Sequence, residues 1–320
     1  MIALFFGDRP VDIAPGETVL EALERAGINA PHSCRAGQCQ RCLHRAIAGR
    51  PTARSQEGLG AAQKALGYFL PCVCVPDCDL TIVRPDDTGG LTDAVVREIT
   101  KLAPDVVRLR LDTDGFVYRA GQFLDLVASD ELRRNYSLAS LPAEDPFLEM
   151  HIRLHEHGRM SALLRERLAP GDRLHIAGPS GACFYEGVDR DQPLTLIGAG
   201  TGLAPLYGVL RDALSHDHRG PIRLYHGARN NSGLYLREEL ERLAASIDRF
   251  EYLPCALQPD APYGGDVAAF ALANEKDWAD TAFFLCGGAN LVNRLKRDVF
   301  LRGASLAAIR ADAFTPSRAS

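Results

Sequence analysis

The segment Cys34-Arg35-Ala36-Gly37-Gln38-Cys39-Gln40-Arg41-Cys42 places three thiols in a C-x4-C-x2-C pattern, and Cys72 follows after 29 further residues. A short loop with three sulfurs and a distant segment with the fourth form the ligand pattern of a plant-type 2Fe–2S cluster. Gly37 suits such a loop because backbone amides must approach the inorganic sulfides, where a Cβ would obstruct them. The spacing therefore predicts an iron–sulfur domain with the ligands Cys34, Cys39, Cys42 and Cys72.

Two other chemistries compete for the same thiols. Cys39 and Cys42 alone form a C-x2-C pair, which also occurs as half of a zinc site and as a thiol–disulfide motif. His32 and His44 flank the loop and are possible ligands. Zinc sites usually combine two close-spaced pairs, whereas here the third cysteine lies upstream of a single pair, so the spacing favours iron and sulfide.

The composition describes a globular protein of more than one domain. The chain has 320 residues, 46% of them apolar and 24% charged, and its net charge of −5 gives no overall reason to expect nucleic-acid binding. No apolar run approaches the roughly 18 residues of a membrane span, and the first residues do not resemble a secretory signal. Nine cysteines fit a reducing compartment, so we expect a cytoplasmic protein.

The order of predicted elements divides the chain into three domains. A hairpin, a short helix and returning strands predict an N-terminal β-grasp ferredoxin domain over residues 1–86. After a linker rich in Pro, Asp and Gly, short strands, one of them over residues 136–139, predict an antiparallel β-barrel over residues 92–188, interrupted by one helix at 160–168. Alternating strands and helices then predict a parallel α/β domain over residues 192–320.

Two motifs in the barrel suggest a flavin. In Arg134-Asn135-Tyr136-Ser137, an Arg can pair with a pyrophosphate, a Tyr can cover an isoalloxazine face and a Ser can hydrogen-bond flavin N5. Gly158-Arg159-Met160-Ser161 opens the predicted helix, whose N-terminal amides suit the same pyrophosphate. Taken alone, the first string also fits a surface strand end, and the second fits an ordinary helix cap.

Two further motifs lie at strand ends of the α/β domain. Gly198-Ala199-Gly200-Thr201-Gly202-Leu203-Ala204-Pro205 connects a buried strand to a helix, where a nucleotide-binding turn belongs, although it lacks the G-x-G-x-x-G spacing. Cys286-Gly287 ends a later strand, on the edge of the sheet where ligands bind. A buried cysteine without catalytic function is the competing interpretation.

Together and in this order, the motifs resemble the NADH-dependent ferredoxin–flavin reductases of bacterial multicomponent oxygenases, over nearly the whole chain. The resemblance implies a flavin signature at Arg134, Tyr136 and Ser137, and a pyrophosphate segment that begins with a His-Ile-Arg strand. It implies a nicotinamide turn from Gly198 to Pro205 and a near-terminal acidic-Ala-Phe stretch at Asp312-Ala313-Phe314, whose aromatic Phe314 covers the flavin. The residues expected to bind cofactors are Arg134, Asn135, Tyr136, Ser137, His151, Ile152, Arg153, Gly158, Met160, Ser161, Gly198, Gly200, Thr201, Gly202, Pro205, Arg229, Cys286, Gly287 and Phe314.

Three departures from that family pattern stand out. Gln40 follows Cys39 where the family usually has Gly, which affects how closely the backbone surrounds the cluster. Ala199 replaces a Gly in the nicotinamide turn, and six residues follow Phe314.

The function that the resemblance implies is electron transfer from NADH through FAD and a 2Fe–2S cluster to an oxygenase or hydroxylase component. Ser137, Cys286 and Phe314 are the expected catalytic residues. NADH is favoured over NADPH because Arg229 is a single basic residue where a 2′-phosphate site often gathers two. The alternatives are delivery to another acceptor, such as a deoxysugar dehydratase, and an iron–sulfur redox sensor without turnover.

A basic run suggests how the acceptor docks. Between residues 32 and 54 the chain has no Asp or Glu. Such a face can steer an acidic partner toward the cluster, although charge runs are often only solvated surface. The run comprises His32, Arg35, Arg41, His44, Arg45, Arg50 and Arg54.

Overall fold

The computed structural model describes residues 2–32, 34–37, 42–57, 59, 61–85, 91–129, 132–258 and 264–314. The chain divides into two compact units, residues 1–87 and 88–320. Among the described residues, no helix has both the length and the apolar character needed to cross a bilayer.

The first unit is a mixed five-stranded sheet packed with one main helix, which confirms the predicted β-grasp class. Its strand order is β2-β1-β5-β3-β4, with β1 antiparallel to β2 and parallel to β5. The helix begins after Thr18, whose side chain and that of Glu21 form a reciprocal capping box. The elements are β1 (Leu4–Phe6), β2 (Arg9–Val11), α1 (Val19–Arg25), β3 (His44–Ala48), α2 (Ala61–Ala65), β4 (Tyr68–Phe69) and β5 (Leu80–Val83).

The second unit begins with the predicted antiparallel barrel. Six strands pair in the order β10-β7-β6-β11-β8-β9, and every pairing is antiparallel. A bridge between Leu138 and Met150 joins the two ends of the sheet, so the barrel closes beside β9. The elements are β6 (Thr92–Ala103), β7 (Val106–Asp112), β8 (Phe123–Ser129), β9 (Leu132–Ser137), β10 (Leu148–Arg153), α3 (Arg159–Glu166) and β11 (Arg173–Ser180).

The same unit continues into a five-stranded parallel sheet in the order β14-β13-β12-β15-β16. Because all strands run in one direction, their carboxyl ends form a single edge, and that edge is where an open α/β sheet binds ligands. The elements are β12 (Leu194–Ala199), α4 (Leu203–Ser215), β13 (Ile222–Ala228), α5 (Arg237–Ser246), β14 (Phe250–Ala256), α6 (Val267–Asn274), β15 (Ala282–Gly288), α7 (Ala289–Leu301) and β16 (Ile309–Phe314).

Two strands differ from the sequence-based expectation. We expected a barrel strand over residues 136–139, but β9 spans Leu132–Ser137, so the whole flavin string lies within the strand. The last strand, β16, was not predicted at all. It pairs along the full end of β15, with Cys286 opposite Asp312 and Gly288 opposite Phe314.

Candidate functional site

Gly37, in the described part of the cysteine loop, lies beside Val73, the residue that follows Cys72. Gly37 has a φ of +74°, and a Cβ on it would lie 3.1 Å from Cγ2 of Val73. The Ala36 N–H donates to the Cys34 sulfur over 3.4 Å. Amides directed at sulfur are what a cluster-binding loop supplies, so this donor set fits an iron–sulfur group.

Three of the four predicted ligands lie in the described residues. Cys42 and Cys72 are buried and Cys34 is exposed, whereas Cys39 lies outside the described residues. Within the described part of the chain, no three His, Cys, Asp or Glu side chains converge as metal ligands. Support for the cluster in the described residues therefore comes from the conformation of Gly37 and the Ala36 amide.

The two flanking histidines are engaged by the main chain. His44 is fully buried and its Nδ1 lies 2.9 Å from the Cys42 carbonyl oxygen, and burial lowers its pKa. The Nδ1 of His32 lies 3.0 Å from the Ala30 carbonyl oxygen. Because a carbonyl oxygen can only accept, Nδ1 donates in both contacts, and both histidines hold backbone at the ends of the loop.

The flavin string presents two faces of β9. Arg133 and Asn135 both donate to the Asp125 carboxylate on β8, so the Asn135 amide serves a neighbouring strand. Arg134 and Tyr136 share the opposite face, because side chains alternate along a strand. Burial raises the pKa of Tyr136 to about 12, with a smaller opposing effect of the Arg134 charge, so its hydroxyl is neutral at physiological pH.

A polar contact joins the barrel to the parallel sheet. The Ser137 hydroxyl donates to the Asp312 carboxylate over 2.9 Å, and Asp312 lies opposite Cys286 in the pairing of β15 with β16. Burial raises the pKa of Asp312 to about 6, and the hydrogen bond from Ser137 works against that rise. Burial, the Cys183 thiol and the Asp312 charge raise the pKa of Cys286, which therefore carries a neutral thiol. Ser137 and Cys286 thus lie at one junction, with Asp312 between them.

The predicted nicotinamide turn lies directly beside this junction. Gly200 adopts a φ of +57°, which favours glycine, and α4 begins just after Gly202. A Cβ on Gly202 would lie 2.7 Å from the carbonyl carbon of Cys286, so only glycine allows the turn to pack on β15. Thr201 is partly exposed and Pro205 is buried in the first turn of the helix.

The pyrophosphate motif uses its serine differently from a simple cap. Gly158 is the N-cap of α3, and Ser161 accepts a hydrogen bond from the His155 N–H over 2.9 Å. A Cβ on Gly158 would lie 2.8 Å from the Ser161 oxygen, so glycine allows the chain to bend there. Met160 is buried beneath this turn.

The His-Ile-Arg strand has only one side chain near the nucleotide turn. His151 is buried, with Nε2 2.9 Å from Glu149, and Ile152 lies in the barrel core. The guanidinium of Arg153, by contrast, is 2.9 Å from the position of a Cβ on Gly200. Arg153 therefore extends from the barrel to the predicted nicotinamide turn.

The remaining predicted residues lie along the same edge of the parallel sheet. Arg229 is exposed just after β13, where Asn230 shapes the loop by accepting a hydrogen bond from Gly233 N–H over 3.2 Å. Gly287 is the penultimate residue of β15 and has a φ of +138°. Phe314 is half-buried at the end of β16.

Asp312 is not among the residues that the sequence predicts to bind cofactors or to take part in catalysis. Its signal was present in the alternation of Ile309-Arg310-Ala311-Asp312-Ala313-Phe314, which is typical of a strand. Without that strand, nothing places a carboxylate opposite Cys286.

Three domain families match the chain in the predicted order. A 2Fe-2S iron-sulfur cluster binding domain matches residues 7–77, an oxidoreductase FAD-binding domain matches 93–185 and an oxidoreductase NAD-binding domain matches 196–296. The predicted succession of iron–sulfur, flavin and nicotinamide modules is therefore confirmed.

Curated relatives align over almost the full chain. The reductase subunit of an aromatic O-demethylase from an Amycolatopsis species is 32% identical, covering 98% of this chain and 99% of the relative. The reductase component 1 of a terephthalate 1,2-dioxygenase from a Comamonas species is 31% identical, covering 95% of this chain and 94% of the relative.

Solved structures give the same picture. The crystal structure of a cytochrome P450 reductase from Amycolatopsis is 32% identical with a TM-score of 0.69, and 99% of each chain is covered. The ferredoxin reductase of a carbazole 1,9a-dioxygenase has a TM-score of 0.65 at 23% identity over 98% of each chain, which shows a shared fold.

Proposed function

The chain belongs to the family of oxidoreductases that join a 2Fe-2S iron-sulfur cluster binding domain to FAD-binding and NAD-binding domains, and from this membership we propose that it supplies electrons from NADH to an oxygenase component. The relatives named as reductase components of a dioxygenase and a demethylase support the class of acceptor. When bound, FAD would supply the chemistry that links the two-electron donor NADH to the one-electron 2Fe–2S cluster. The succession of the three matched domain families is the observation that carries the proposal, and the contact between Ser137 and Asp312 joins its flavin and nicotinamide modules.

The contact matters because it brings one group from each cofactor module together. Ser137 belongs to the barrel that matches the FAD-binding family, and Asp312 and Cys286 lie on neighbouring strands of the parallel sheet. Without flavin, Asp312 accepts the hydrogen bond of the Ser137 hydroxyl, and the same O–H is what Ser137 would offer to flavin N5. The Cys286 thiol stays neutral, so Asp312 is the acidic group of this junction that titrates nearest to physiological pH.

Binding and orientation fall to the groups around this junction. Arg134 and the α3 N-terminus supply the charge and amides for the FAD pyrophosphate, and Tyr136 offers a buried ring for its flavin. The turn at Gly200 and Gly202 lets NADH approach the backbone, and Arg229 serves its adenosine end. Phe314 covers the flavin until nicotinamide displaces it. Placing nicotinamide C4 against flavin N5 is the main contribution that these residues make.

We assign the 2Fe–2S cluster to the domain of residues 1–86. Its proposed ligands are Cys34, Cys39, Cys42 and Cys72. We assign residues 92–188 to the FAD domain and residues 192–320 to the NAD domain. The predicted cytoplasmic location rests on the cysteine content and is part of the same proposal.

One anaerobic titration tests the proposal. The purified protein, loaded with FAD, iron and sulfide, should show flavin and 2Fe–2S absorption that both bleach when NADH is added. An NADPH titration is the comparison, and we expect it to require a higher concentration. A protein whose visible bands ignore NADH but bleach with dithionite is a redox sensor, and the proposed activity is then wrong.

The basic run offers fewer free charges for the proposed docking of an acceptor than the sequence suggests. Arg35 pairs with Glu24 over 2.6 Å and His44 is buried, whereas Arg50 and Arg54 are exposed. Arg41 lies outside the described residues. We keep the proposal of an acidic docking partner on the strength of Arg50 and Arg54.

Salt and charge reversal test this docking face. Electron transfer to the acceptor should slow between about 50 and 300 mM salt, because added salt shortens the screening length to under about 10 Å. Flavin reduction by NADH should not change. The pair Arg50→Glu and Arg54→Glu should slow transfer, unlike Arg242→Glu on the exposed side of α5. Equal rates for the two charge reversals contradict the docking face.

A further inference from the structure

The Cys286 thiol is in contact with a second thiol that the proposed function does not use. The sulfur atoms of Cys183 and Cys286 are 3.4 Å apart, and both side chains are buried in one hydrophobic cluster. Cys183 lies in the segment after β11 of the barrel, and Cys286 lies near the end of β15. The thiol pair therefore crosses from the flavin module to the nicotinamide module.

The main chain on both sides of the pair is fixed by close packing. A Cβ on Gly121 would collide with the carbonyl oxygen of Cys183, and Gly202 lies equally close to the carbonyl group of Cys286. Cys286 is also held between β12 and β16, opposite Gly198 and Asp312. With the backbone held, the only freedom left to the Cys286 thiol is its choice among three staggered rotamers.

The surroundings of the thiol determine which rotamer is occupied. A thiol is a weak donor and a weak acceptor, so one sulfur can donate to the other within this dry cluster. Cys183 is 1% exposed and Cys286 is 0% exposed, so water does not compete for that hydrogen bond. A buried neutral hydrogen bond contributes enough to set a rotamer preference.

We propose that Cys183 is a positioning residue, which holds the Cys286 thiol in the orientation that hydride transfer from NADH requires. The inference rests on the proposed role of Cys286 at the nicotinamide. Cys183 would act on NADH only through the Cys286 thiol. The junction is then a chain of neighbouring side chains: Cys183 contacts Cys286, Cys286 lies opposite Asp312, and Asp312 accepts from Ser137.

The test is a double-mutant cycle on the FAD-loaded enzyme. The rate of flavin reduction at saturating NADH is measured per bound flavin, by stopped-flow absorbance, for Cys183→Ala, Cys286→Ala and the double variant. We expect Cys183→Ala to reduce the rate about 2- to 10-fold, the effect of losing one neutral hydrogen bond. The dissociation constant of NADH should change little. In the Cys286→Ala background, adding Cys183→Ala should change the rate no further.

Two controls separate positioning from general damage to the core. Cys183→Ser keeps a small donor and should restore most of the rate, and the same cycle can be run with it if Cys183→Ala loses its flavin. Leu210→Ala removes volume from the same hydrophobic cluster, so it should lower thermal stability while leaving the rate per bound flavin unchanged.

Each remaining outcome has a definite meaning. If Cys183→Ala slows reduction equally with and without the Cys286 thiol, the positioning role is wrong. If Cys183→Ala matches the wild type while Cys286→Ala is slow, the positioning role is wrong but the role of Cys286 stands. If Cys286→Ala reduces the flavin at the wild-type rate, the proposed roles of Cys183 and Cys286 are both wrong. Bleaching of the flavin by NADH would still support the proposed reductase function.

Discussion

Replacing Ser137 by Ala removes the hydroxyl that donates to Asp312 over 2.9 Å. The first expected effect is on the protonation of Asp312. A hydrogen bond to an ionised carboxylate stabilises the charged form, so its loss must raise the pKa of Asp312 above the present value of about 6.

The magnitude follows from two quantities. A hydrogen bond to a charged group contributes about 1.5–3 kcal/mol, and one pKa unit corresponds to about 1.4 kcal/mol. The pKa of Asp312 in Ser137→Ala should therefore rise by about one to two, to about 7 or 8. At pH 7 the wild-type carboxyl is protonated in about one molecule in ten, whereas in the variant half or more of the molecules carry the proton.

The first assay titrates Asp312 in the flavin-free protein by carboxyl carbon NMR, because a Ser137 hydroxyl that donates to flavin N5 has no second proton for Asp312. We expect a wild-type midpoint near 6, and a Ser137→Ala midpoint displaced toward higher pH by the amount calculated above. The second assay is flavin reduction by NADH in the loaded enzyme, whose maximal rate should fall about tenfold or more in Ser137→Ala, because the variant lacks the donor proposed for flavin N5.

The matched control is another buried serine of the same barrel. The structure gives the Ser180 hydroxyl no hydrogen-bond partner among the described residues, so Ser180→Ala should leave both the midpoint and the rate unchanged. The reasoning is refuted if Ser137→Ala keeps the wild-type midpoint, or if Ser180→Ala moves it as far.

Three further predictions concern the turn, the cluster and acid stability. Gly202→Ala should destabilise the protein by about 1–3 kcal/mol through a clash with the backbone of Cys286, whereas Gly264→Ala, with nothing within 4 Å of its Cβ position, should leave the thermal midpoint unchanged. Cys72→Ser should lower the bound iron and abolish transfer to the acceptor while flavin reduction continues, and Cys78→Ser should retain the iron. Burial raises the pKa of Glu149, but the hydrogen bond from His151 and the nearby arginine charges outweigh burial and lower that pKa from 4.5 to about 2. The free energy of unfolding should therefore fall as the pH drops from about 4.5 toward 2. A Glu149→Gln variant should lack this dependence in denaturant titrations.

The architecture was accessible from the sequence because local patterns determine most of it. The cysteine spacing, the short barrel strands and the strand–helix alternation each act over a few tens of residues, and all three modules are confirmed. The last strand escaped because the alternation of Ile309–Phe314 covers only six residues. Its pairing with β15, which the sequence does not show, is what identifies it as a strand.

The site was less accessible because its groups are distant in sequence. Ser137 and Asp312 are 175 residues apart, and no spacing rule connects them. The sequence also does not show which face of a strand meets a cofactor. In the structure, His151 faces Glu149 and Tyr235, whereas Arg153 extends to the Gly200 turn. The roles of individual residues at the cofactors stay predictions.

The position of these groups explains how the junction can hold the nicotinamide and the flavin in a fixed position relative to each other. Near the site the barrel and the parallel sheet are joined by the Ser137–Asp312 hydrogen bond, and on α4 Arg211 binds Asp145 of the barrel over 2.6 Å. Arg211 is largely buried with that partner, so its ion pair is less screened than one on the surface. Contacts at two separate places prevent one module from rotating on the other about a single point. A reaction that needs nicotinamide C4 within about 3–3.5 Å of flavin N5 requires that constraint, because the two cofactors are bound by different modules.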